Sequence, residues 1–257
     1  MKQSREHKAI VIGRKGTNTD LLIQEVGKHW SITKIIYEDA PPASEVIKRR
    51  TKKIGFIKTM GQVAFLKLIA PLLSSKKRRQ QLLAPFGDLQ VNFTSDISSI
   101  ENVNSAEFHA LIKDLQTDIV FINGTRILSK KTIELLNAPI VNIHVGITPK
   151  YRGVHGGYWA LYDDNKDLFG VTLHYLDSGI DTGKIIDQVI LMPSAKDNYR
   201  TYPLLQYISG LELIRNNVDA LKSGQTKKVK VLCEKDKLHY HPRFFQYLGR
   251  RIFKGVK

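Results

Sequence analysis

Two polar side chains at the end of an apolar run are the first residues that could do chemistry. Asn142 and His144 close the run from Ile140, which is typical of a buried strand. Alternate strand residues project to the same face, so both side chains point one way, where an amide can donate hydrogen bonds and an imidazole can move a proton. The Gly- and Pro-rich segment that follows predicts an irregular loop, which is where α/β sheets bind ligands. A plainer interpretation is that the pair only satisfies backbone groups of that loop.

A second loop offers a carboxylate to the same site. The strand-like run from Gly170 to Leu176 leads into a polar loop from Asp177 to Gly183, and another strand-like run begins at Lys184. We expect this loop to bring Asp181 to His144. An amide, an imidazole and a carboxylate would then share one strand end.

The combined pattern resembles the formyltetrahydrofolate-dependent formyltransferases, which act on glycinamide ribonucleotide, methionyl-tRNA or nucleotide-sugar amines. The motifs that carry the resemblance are Asn142-x-His144, Pro149-Lys150-Tyr151-Arg152-Gly153, Gly170-Val171-Thr172 and Asp177-x-Gly179-x-Asp181-x-Gly183. It is specific from about Asp118 to Gln188, less close over the first 37 residues, and absent from the basic middle segment and the tail.

The resemblance implies transfer of a formyl group from 10-formyltetrahydrofolate, a cosubstrate, to an amine through a tetrahedral intermediate. Asn142 would donate to the developing oxyanion, the protonated His144 would assist, and Asp181 would orient His144 and help to move the amine proton. Two segments are expected to bind the folate: Thr125, Arg126, Ile127 and Leu128, and then Asp177, Gly179 and Ile180. No His, Cys or carboxylate arrangement has metal-ligand spacing, so we expect chemistry without a metal.

Strands that alternate with helices up to residue 144 predict an α/β fold with a Rossmann-like, mostly parallel sheet. Further strands are predicted at Lys8 to Ile12, Ser31 to Tyr37, Gln90 to Phe93 and Asp118 to Asn123, with Asn104-x-x-Glu107 capping a helix between the last two. We expect a catalytic domain over residues 1–192 and a helical and β extension over residues 193–257. The full G-x-G-x-x-G fingerprint does not occur, so no nicotinamide or flavin cofactor is expected.

Positive charge is concentrated in a basic helical insertion at about residues 44–84. Between Lys48 and Arg79 there are 11 Lys and Arg and no Asp or Glu, within a chain of formal net charge +16. Apolar residues recur there at helical spacing: Ile57, Met60, Ala64, Leu68 and Leu72. A solvated charged face and a polyanionic partner, such as a diphosphate-bearing substrate, an anionic membrane or RNA, are both open interpretations.

The turn from Gly13 to Asn18 precedes a helix and has two interpretations. Arg14 and Lys15 beside the helix N-terminus could help to bind a phosphate, or Thr17 or Asn18 could simply cap the helix. The single cysteine, Cys233, excludes an internal disulfide and suits a reducing cytoplasm, which is the expected location. No apolar stretch is expected to approach the length of a membrane helix.

The acceptor is the least decided part of the function. The loop residues Lys150, Tyr151 and Arg152 are expected to bind it, with Tyr151 stacking on a sugar or base. The loop resembles the sugar and tRNA branches of the family more than the purine branch, and few residues follow Gln188 for a tRNA-binding domain. The resemblance therefore implies a nucleotide-linked amino sugar used for surface polysaccharide such as lipopolysaccharide O-antigen, with glycinamide ribonucleotide as the alternative.

The tail from Arg243 to Lys254 is basic and aromatic, which predicts a helix on the domain, on a second subunit or on a membrane surface. We expect a homodimer and no nucleic-acid substrate. A non-enzyme alternative is a protein that binds RNA or another polyanion through the Lys48 to Arg79 segment, on a degenerate enzyme fold. Salt-sensitive binding that survives loss of Asn142 and His144 would favour that alternative.

Overall fold

A computed structural model of the chain describes residues 6–89, 96–225, 229 and 231–257, and its centre is one seven-stranded sheet. The strands are β1 (Lys8–Gly13), β2 (Ser31–Glu38), β3 (Asp96–Ile100), β4 (Ile119–Asn123), β5 (Ile140–His144), β6 (Gly170–Tyr175) and β7 (Ile185–Ile190). Their order is β3-β2-β1-β4-β5-β6-β7. The first five are parallel to one another, whereas β6 is antiparallel to β5 and β7 is antiparallel to β6.

Helices cover both faces of the sheet and extend beyond it. They are α1 (Thr17–Val26), α2 (Ala43–Ile54), α3 (Phe56–Ala64), α4 (Lys76–Leu83), α5 (Ala106–Ile112), α6 (Lys130–Leu136), α7 (Gly156–Tyr162), α8 (Tyr202–Asn216), α9 (Val218–Ser223) and α10 (Phe244–Lys254). The predicted α/β fold with a Rossmann-like, mostly parallel sheet is confirmed. The basic insertion is helical, as predicted, and consists of α2 to α4.

Two apolar cores explain why the central strands are almost wholly hydrophobic. Ala9 and Val11 of β1 lie in the core under α1 and α8, whereas Ile10 and Ile12 lie in the opposite core with α5 and α6. A strand buried on both faces needs apolar residues at every position, so it shows no alternation. Helix α8 contributes Leu211 to the first core. The division into domains at residue 192 stays a prediction.

An aromatic cluster joins the basic insertion, α7 and the tail. Phe65 follows α3 in a π-helical turn (Phe65–Ile69) and packs against Tyr199 and Tyr247, with ring centroids 4.8 and 4.9 Å away. Trp159 of α7 lies in the same cluster. Buried rings therefore fix the insertion and α10 to α7 and to each other.

Several local predictions differ from the structure. The polar edge strand β3 was missed, and the predicted strand from Gln90 to Phe93 lies outside the described residues. Asn104 does not cap α5, because the Ser105 hydroxyl accepts the Phe108 N–H there. Helix α1 begins after Gly16 with no side-chain cap, so capping by Thr17 or Asn18 was wrong. In the extension predicted as helical and β, the described residues have one isolated bridge, between Gly153 and His239.

The insertion also overturns the expectation about membrane helices. Among the described residues, the segment Phe56–Leu73 is long and apolar enough to cross a membrane, and only 22% of it is buried. It continues from α3 through the π-helical turn into a 3₁₀ turn (Ala70–Leu73). The apolar run in the sequence is interrupted by Lys58 and Lys67, and for this reason the segment was not predicted to be long enough.

A buried carboxylate ties α1 to α8. Both Glu25 oxygens accept hydrogen bonds from Arg215, at 2.9 Å each, and Lys28 donates to one of them at 2.9 Å. Burial alone would raise the pKa of Glu25, but the hydrogen bonds and charges of Arg215 and Lys28 lower it from 4.5 to about 2. A carboxyl pKa that is depressed in the folded state stabilises the fold above pH 4.5, and this contribution is lost as the pH falls toward 2.

We predict that Glu25→Gln lowers the free energy of unfolding by about 2 kcal/mol at pH 7, a figure reduced because both cations are half solvated. The deficit relative to wild type should shrink as the pH falls from 5 to 3. Urea unfolding over this pH range measures it. Asp114→Asn, an exposed position after α5, is the control. A deficit that stays constant with pH would contradict the assignment.

Candidate active site

A cleft of 390 Å³ opens where β4 and β5 end and the loop between β6 and β7 folds over them. All of the residues that sequence analysis assigned to catalysis and folate binding line it: Asn142, His144, Asp181, Thr125, Arg126, Ile127, Leu128, Asp177, Gly179 and Ile180. The alternation of β5 places Asn142 and His144 on one face. The fold therefore brings three separate segments of the chain to one place.

His144 and Asp181 form a buried pair. The Nδ1 atom of His144 lies 3.3 Å from an Asp181 carboxylate oxygen, and Nε2 lies 2.7 Å from the Tyr151 carbonyl oxygen. A carbonyl only accepts, so Nε2 carries a proton, and Nδ1 can donate to the carboxylate only when the ring is charged. Both ring nitrogens thus face acceptors, which favours the imidazolium form.

The pKa values of the pair follow from this geometry. Burial lowers the pKa of His144, but the Asp181 charge and the hydrogen bonds to Asp181 and the Tyr151 carbonyl outweigh it and raise the pKa above 6.5. Burial raises the pKa of Asp181, but the charge and hydrogen bond of His144 outweigh this and lower the pKa well below its usual value. The two groups therefore hold each other in their charged forms.

Two glycines allow this arrangement. The Gly153 N–H donates to the second Asp181 oxygen at 2.8 Å, and Gly153 has φ +96°, a conformation that favours glycine. A Cβ at Gly146 would lie 2.5 Å from the Tyr151 carbonyl oxygen and 2.8 Å from His144 Nε2. Only a residue without a side chain lets the loop carbonyl reach the histidine.

His174 holds Asn142 in place, a role that sequence analysis missed. It lies opposite Asn142 in the β5–β6 pairing, and its Nδ1 donates to the Tyr175 carbonyl at 2.9 Å. Its Nε2 is then an acceptor, 3.1 Å from Asn142 Nδ2. Burial, and next the His144 charge, lower the pKa of His174, in keeping with a neutral ring. One Asn142 N–H is used by His174, which leaves the second for a ligand in the cleft.

The segment from Thr125 to Leu128 is fixed by a buried acid at the end of β2. Glu38 accepts the Arg126 backbone N–H at 2.7 Å, the Arg126 guanidinium at 2.9 Å and the Val103 N–H at 3.0 Å. Asn104 donates to the Ile127 carbonyl at 3.0 Å. The backbone N–H of Arg126 and the carbonyl of Ile127 already have protein partners, so Arg126 is an anchor of this segment.

None of the three predicted acceptor residues lines the cleft. The predicted stacking of Tyr151 on a sugar or base was wrong, and acceptor binding by Lys150 and Arg152 stays a prediction. Tyr151 is 0% exposed: its ring packs near His239 and its hydroxyl accepts from Asn165. Arg152 donates to the carbonyls of Pro149, Ile180 and Asp236, so its side chain joins loops. The Lys150 ammonium lies 5.9 Å from the centre of the Tyr151 ring. Polar neighbours suggested an exposed loop, but packing against the tail buries Tyr151.

A smaller, cationic pocket of 310 Å³ adjoins the cleft at Pro203, which lines both. Lys76 and Arg79 of α4 line it together with Arg200. Arg79 also donates to the Thr17 hydroxyl at the start of α1. The basic run of α4 was noted in the sequence, but only its return toward α1 reveals that part of the insertion borders the cleft.

Comparison with known proteins agrees with this geometry. The sequence profile described as "Formyl transferase" matches residues 70–202, which is more than half of the chain. The chain belongs to the formyl transferase family. The matched region contains Asn142, His144 and Asp181, together with the Thr125 to Leu128 segment.

Curated relatives of this formyl transferase include two methionyl-tRNA formyltransferases. The protein from Thermodesulfovibrio yellowstonii is 30% identical over 125 residues, which is 48% of this chain and 40% of the relative. The protein from Methylacidiphilum infernorum is 32% identical over 130 residues, 50% of this chain and 40% of the relative. The chain thus spans less than half the length of these relatives.

Solved structures with the same fold come from other branches. A sugar N-formyltransferase from Shewanella has a TM-score of 0.55 at 17% identity, over 90% of this chain and 75% of that one. Phosphoribosylglycinamide formyltransferase from Streptococcus pneumoniae has a TM-score of 0.52 at 20% identity, over 84% of this chain and 99% of that one. The sugar 3N-formyl transferase WlaRD, solved with dTDP and 5-N-formyl-THF, has a TM-score of 0.55 at 19% identity, over 92% of this chain and 70% of that one. At these identities the likeness establishes the fold.

We predict that His144 titrates above its ordinary value of 6.5 and His174 below it. Asp181→Asn should lower the pKa of His144, because removing the carboxylate charge leaves burial as the dominant effect. Proton–carbon NMR of the histidine rings over a pH series measures both. The exposed Asp114→Asn should change neither value. An unchanged pKa of His144 in Asp181→Asn would show that the pair is not coupled.

Proposed function

We propose that this formyl transferase moves the formyl group of 10-formyltetrahydrofolate to the amine of a nucleotide-linked amino sugar, without a metal. The observation that supports the chemistry is the single cleft that holds the Asn142 amide beside the His144–Asp181 pair. In the exchange, the amine nitrogen bonds to the formyl carbon and loses one proton, and N10 of the donor, released from that carbon, gains one.

The cleft suits a reduced folate. Apolar walls for a flat ring are provided by Ile122, Leu128 and Leu176. Asn142 and His144 line the cleft at the end of β5. We assign the Thr125 to Leu128 segment and the Asp177 to Ile180 loop to folate binding. The tie from Glu38 to Arg126 would keep the first segment in position before the ligand arrives.

Each catalytic residue has a distinct task in this proposal. The free N–H of Asn142 donates to the formyl oxygen as negative charge develops on it, and the charged His144 stabilises that charge from the same strand end. Asp181 is a weak base while its pKa is so low, so its first task is to keep His144 charged. Donors that are already in place need no rearrangement during the reaction, which is why they lower its barrier.

The cationic pocket beside the cleft suggests an acceptor with phosphate groups. Lys76, Arg79 and Arg200 would meet phosphate oxygens, while the amine enters the cleft past Pro203. A sugar formyltransferase structure that contains dTDP supports a nucleotide-linked sugar as the acceptor. Glycinamide ribonucleotide and methionyl-tRNA also carry phosphate, and similar proteins bear those names, so both belong in the test. We further propose that the enzyme works in the cytoplasm on precursors of surface polysaccharide.

We predict that Asn142→Ala, His144→Ala and Asp181→Ala each reduce turnover by about a hundredfold or more. Their folds should remain intact, which circular dichroism and thermal melting check. Asp114→Asn, a surface change, controls for handling. Near-normal turnover in purified His144→Ala would refute the catalytic assignment.

Isothermal titration with a folate analogue tests the donor separately, and a lack of binding would refute the folate assignment.

We predict a formyl mass gain on nucleotide-linked amino sugars when a panel of acceptors is offered with 10-formyltetrahydrofolate. The panel also contains glycinamide ribonucleotide and methionyl-tRNA. Arg79→Ala should raise the acceptor KM about tenfold, by loss of a charge-assisted phosphate contact, with little change in donor KM. Lys113→Ala, on the surface after α5, is the control. Formylation of glycinamide ribonucleotide or methionyl-tRNA alone would replace the proposed acceptor.

A further inference from the structure

An exposed apolar face crosses the basic insertion and the last helix. Eight of the fourteen large hydrophobic side chains that are exposed among the described residues lie in these two segments. The members are Phe56, Ile57, Met60, Leu68 and Leu72 from the insertion and Phe245, Ile252 and Phe253 from α10. Phe245 and Phe253 are each 82% exposed and Ile57 is 84% exposed. Such a cluster is unusual on the surface of a soluble monomer and marks a contact site.

The two helical segments form one surface because their opposite sides pack together. Phe65 and Tyr247, both buried, join them with ring centroids 4.9 Å apart. A groove of 760 Å³ lies between them, lined by Ile57, Met60 and Leu68 on one side and Phe245 on the other. The exposed side chains therefore belong to two rigid, docked helices.

The excess positive charge of the chain is confined to the same two segments. Residues 48–79 and 243–257 contain 16 Lys and Arg and no Asp or Glu. The rest of the chain has the remaining 24 Lys and Arg against all 24 Asp and Glu, so it is formally neutral. All of the net charge of +16 is therefore carried by the elements that expose the apolar side chains. Lys58 and Lys67, both exposed, lie within the apolar segment itself.

We propose that the apolar face docks on an anionic phospholipid bilayer. The aliphatic and phenyl side chains would enter the boundary between headgroups and acyl chains, and the surrounding cations would meet lipid phosphates. Apolar burial and charge attraction then act together, as they do for amphipathic helices that lie in the membrane interface. This surface is separate from the cleft, so the inference does not depend on the proposed reaction.

The structure supports a helix pair that lies on the membrane and does not cross it. Within Phe56–Leu73, Phe65 is 0% exposed and Ala70 is 1% exposed, because both pack in the aromatic cluster. A spanning helix would have to withdraw these two side chains from the cluster and place Lys58 and Lys67 in hydrocarbon, which is costly. A docked helix keeps both packing and charges where they are.

Other occupants fit the face less well. A second copy docked by twofold symmetry would bring two identical surfaces together, and neither residues 48–79 nor residues 243–257 contain an acid to balance the facing cations. RNA would pair with the charge but not with the aliphatic Ile57, Leu68 and Leu72, since bases stack on aromatic rings. An anionic bilayer matches both the charge and the apolar surface.

Vesicle flotation with the full-length protein tests the proposal. The wild type should float with vesicles of phosphatidylcholine and phosphatidylglycerol and stay unbound with phosphatidylcholine alone. Binding should weaken as the salt concentration rises from about 50 to 500 mM, because the Debye length, which sets the range of the charge attraction, falls roughly threefold. No flotation with anionic vesicles at low salt would overturn the proposal.

Surface variants locate the contact. Phe245→Ser with Phe253→Ser should lower the vesicle partition constant at least about tenfold, while Met192→Ser, 92% exposed elsewhere, should leave it unchanged. Lys58→Glu with Lys67→Glu should lower it by more than roughly twentyfold, at about fivefold for each positive charge lost and a further loss for each negative charge gained. Lys113→Glu with Lys131→Glu, at exposed sites on the sheet's helical layer, is the matched charge control. Equal losses in test and control pairs would overturn the assignment.

Two further measurements separate the competing occupants. Analytical ultracentrifugation should give the same mass for wild type and for the double Phe variant. A dimer that dissociates in that variant would instead make the face a subunit interface and overturn the proposal. Binding to single-stranded RNA should be weaker than to anionic vesicles and insensitive to the Phe changes. Tighter RNA binding that the Phe changes also weaken would assign the face to nucleic acid.

Discussion

The burial of two opposite charges at the end of β5 governs the architecture around the cleft. Taking an imidazolium and a carboxylate out of water is expensive unless each also has hydrogen-bond partners. The Tyr151 carbonyl supplies one to His144, and the Gly153 N–H supplies one to Asp181. Both partners lie in the loop after β5, so this loop must fold back over its own strand. The glycines at positions 146 and 153 permit that course.

The central strands and the shared face of Asn142 and His144 could be predicted from sequence because their signals are local. The strand ending in Asn142 and His144 is a continuous apolar run, and a strand fixes which side chains share a face. The edge strand β3 was not predictable in this way, since it is mostly exposed and polar. Tyr151 was misjudged for a different reason. Its burial depends on Asn165 and His239, which only the tertiary fold brings to it.

The basic insertion serves two surfaces with one composition. Near its end, Lys76 and Arg79 border the pocket beside the cleft, whereas Lys58 and Lys67 surround exposed apolar side chains. A charge count cannot separate these roles, because it does not say where a helix turns. What separates them is the break at Ser74 and Ser75, whose extended backbone ends the Phe56–Leu73 helix before α4 begins.

The bridge between Gly153 and His239 makes the tail a participant in the electrostatics of the cleft. His239 donates its backbone N–H to the Arg152 carbonyl and accepts the Val154 N–H, on either side of the glycine that holds Asp181. Order in the tail and order at the Asp181 carboxylate are therefore thermodynamically linked, and such coupling is reciprocal. If an ordered tail strengthens the binding of a ligand in the cleft, that ligand must in turn protect the tail from local opening. The two effects have the same free energy.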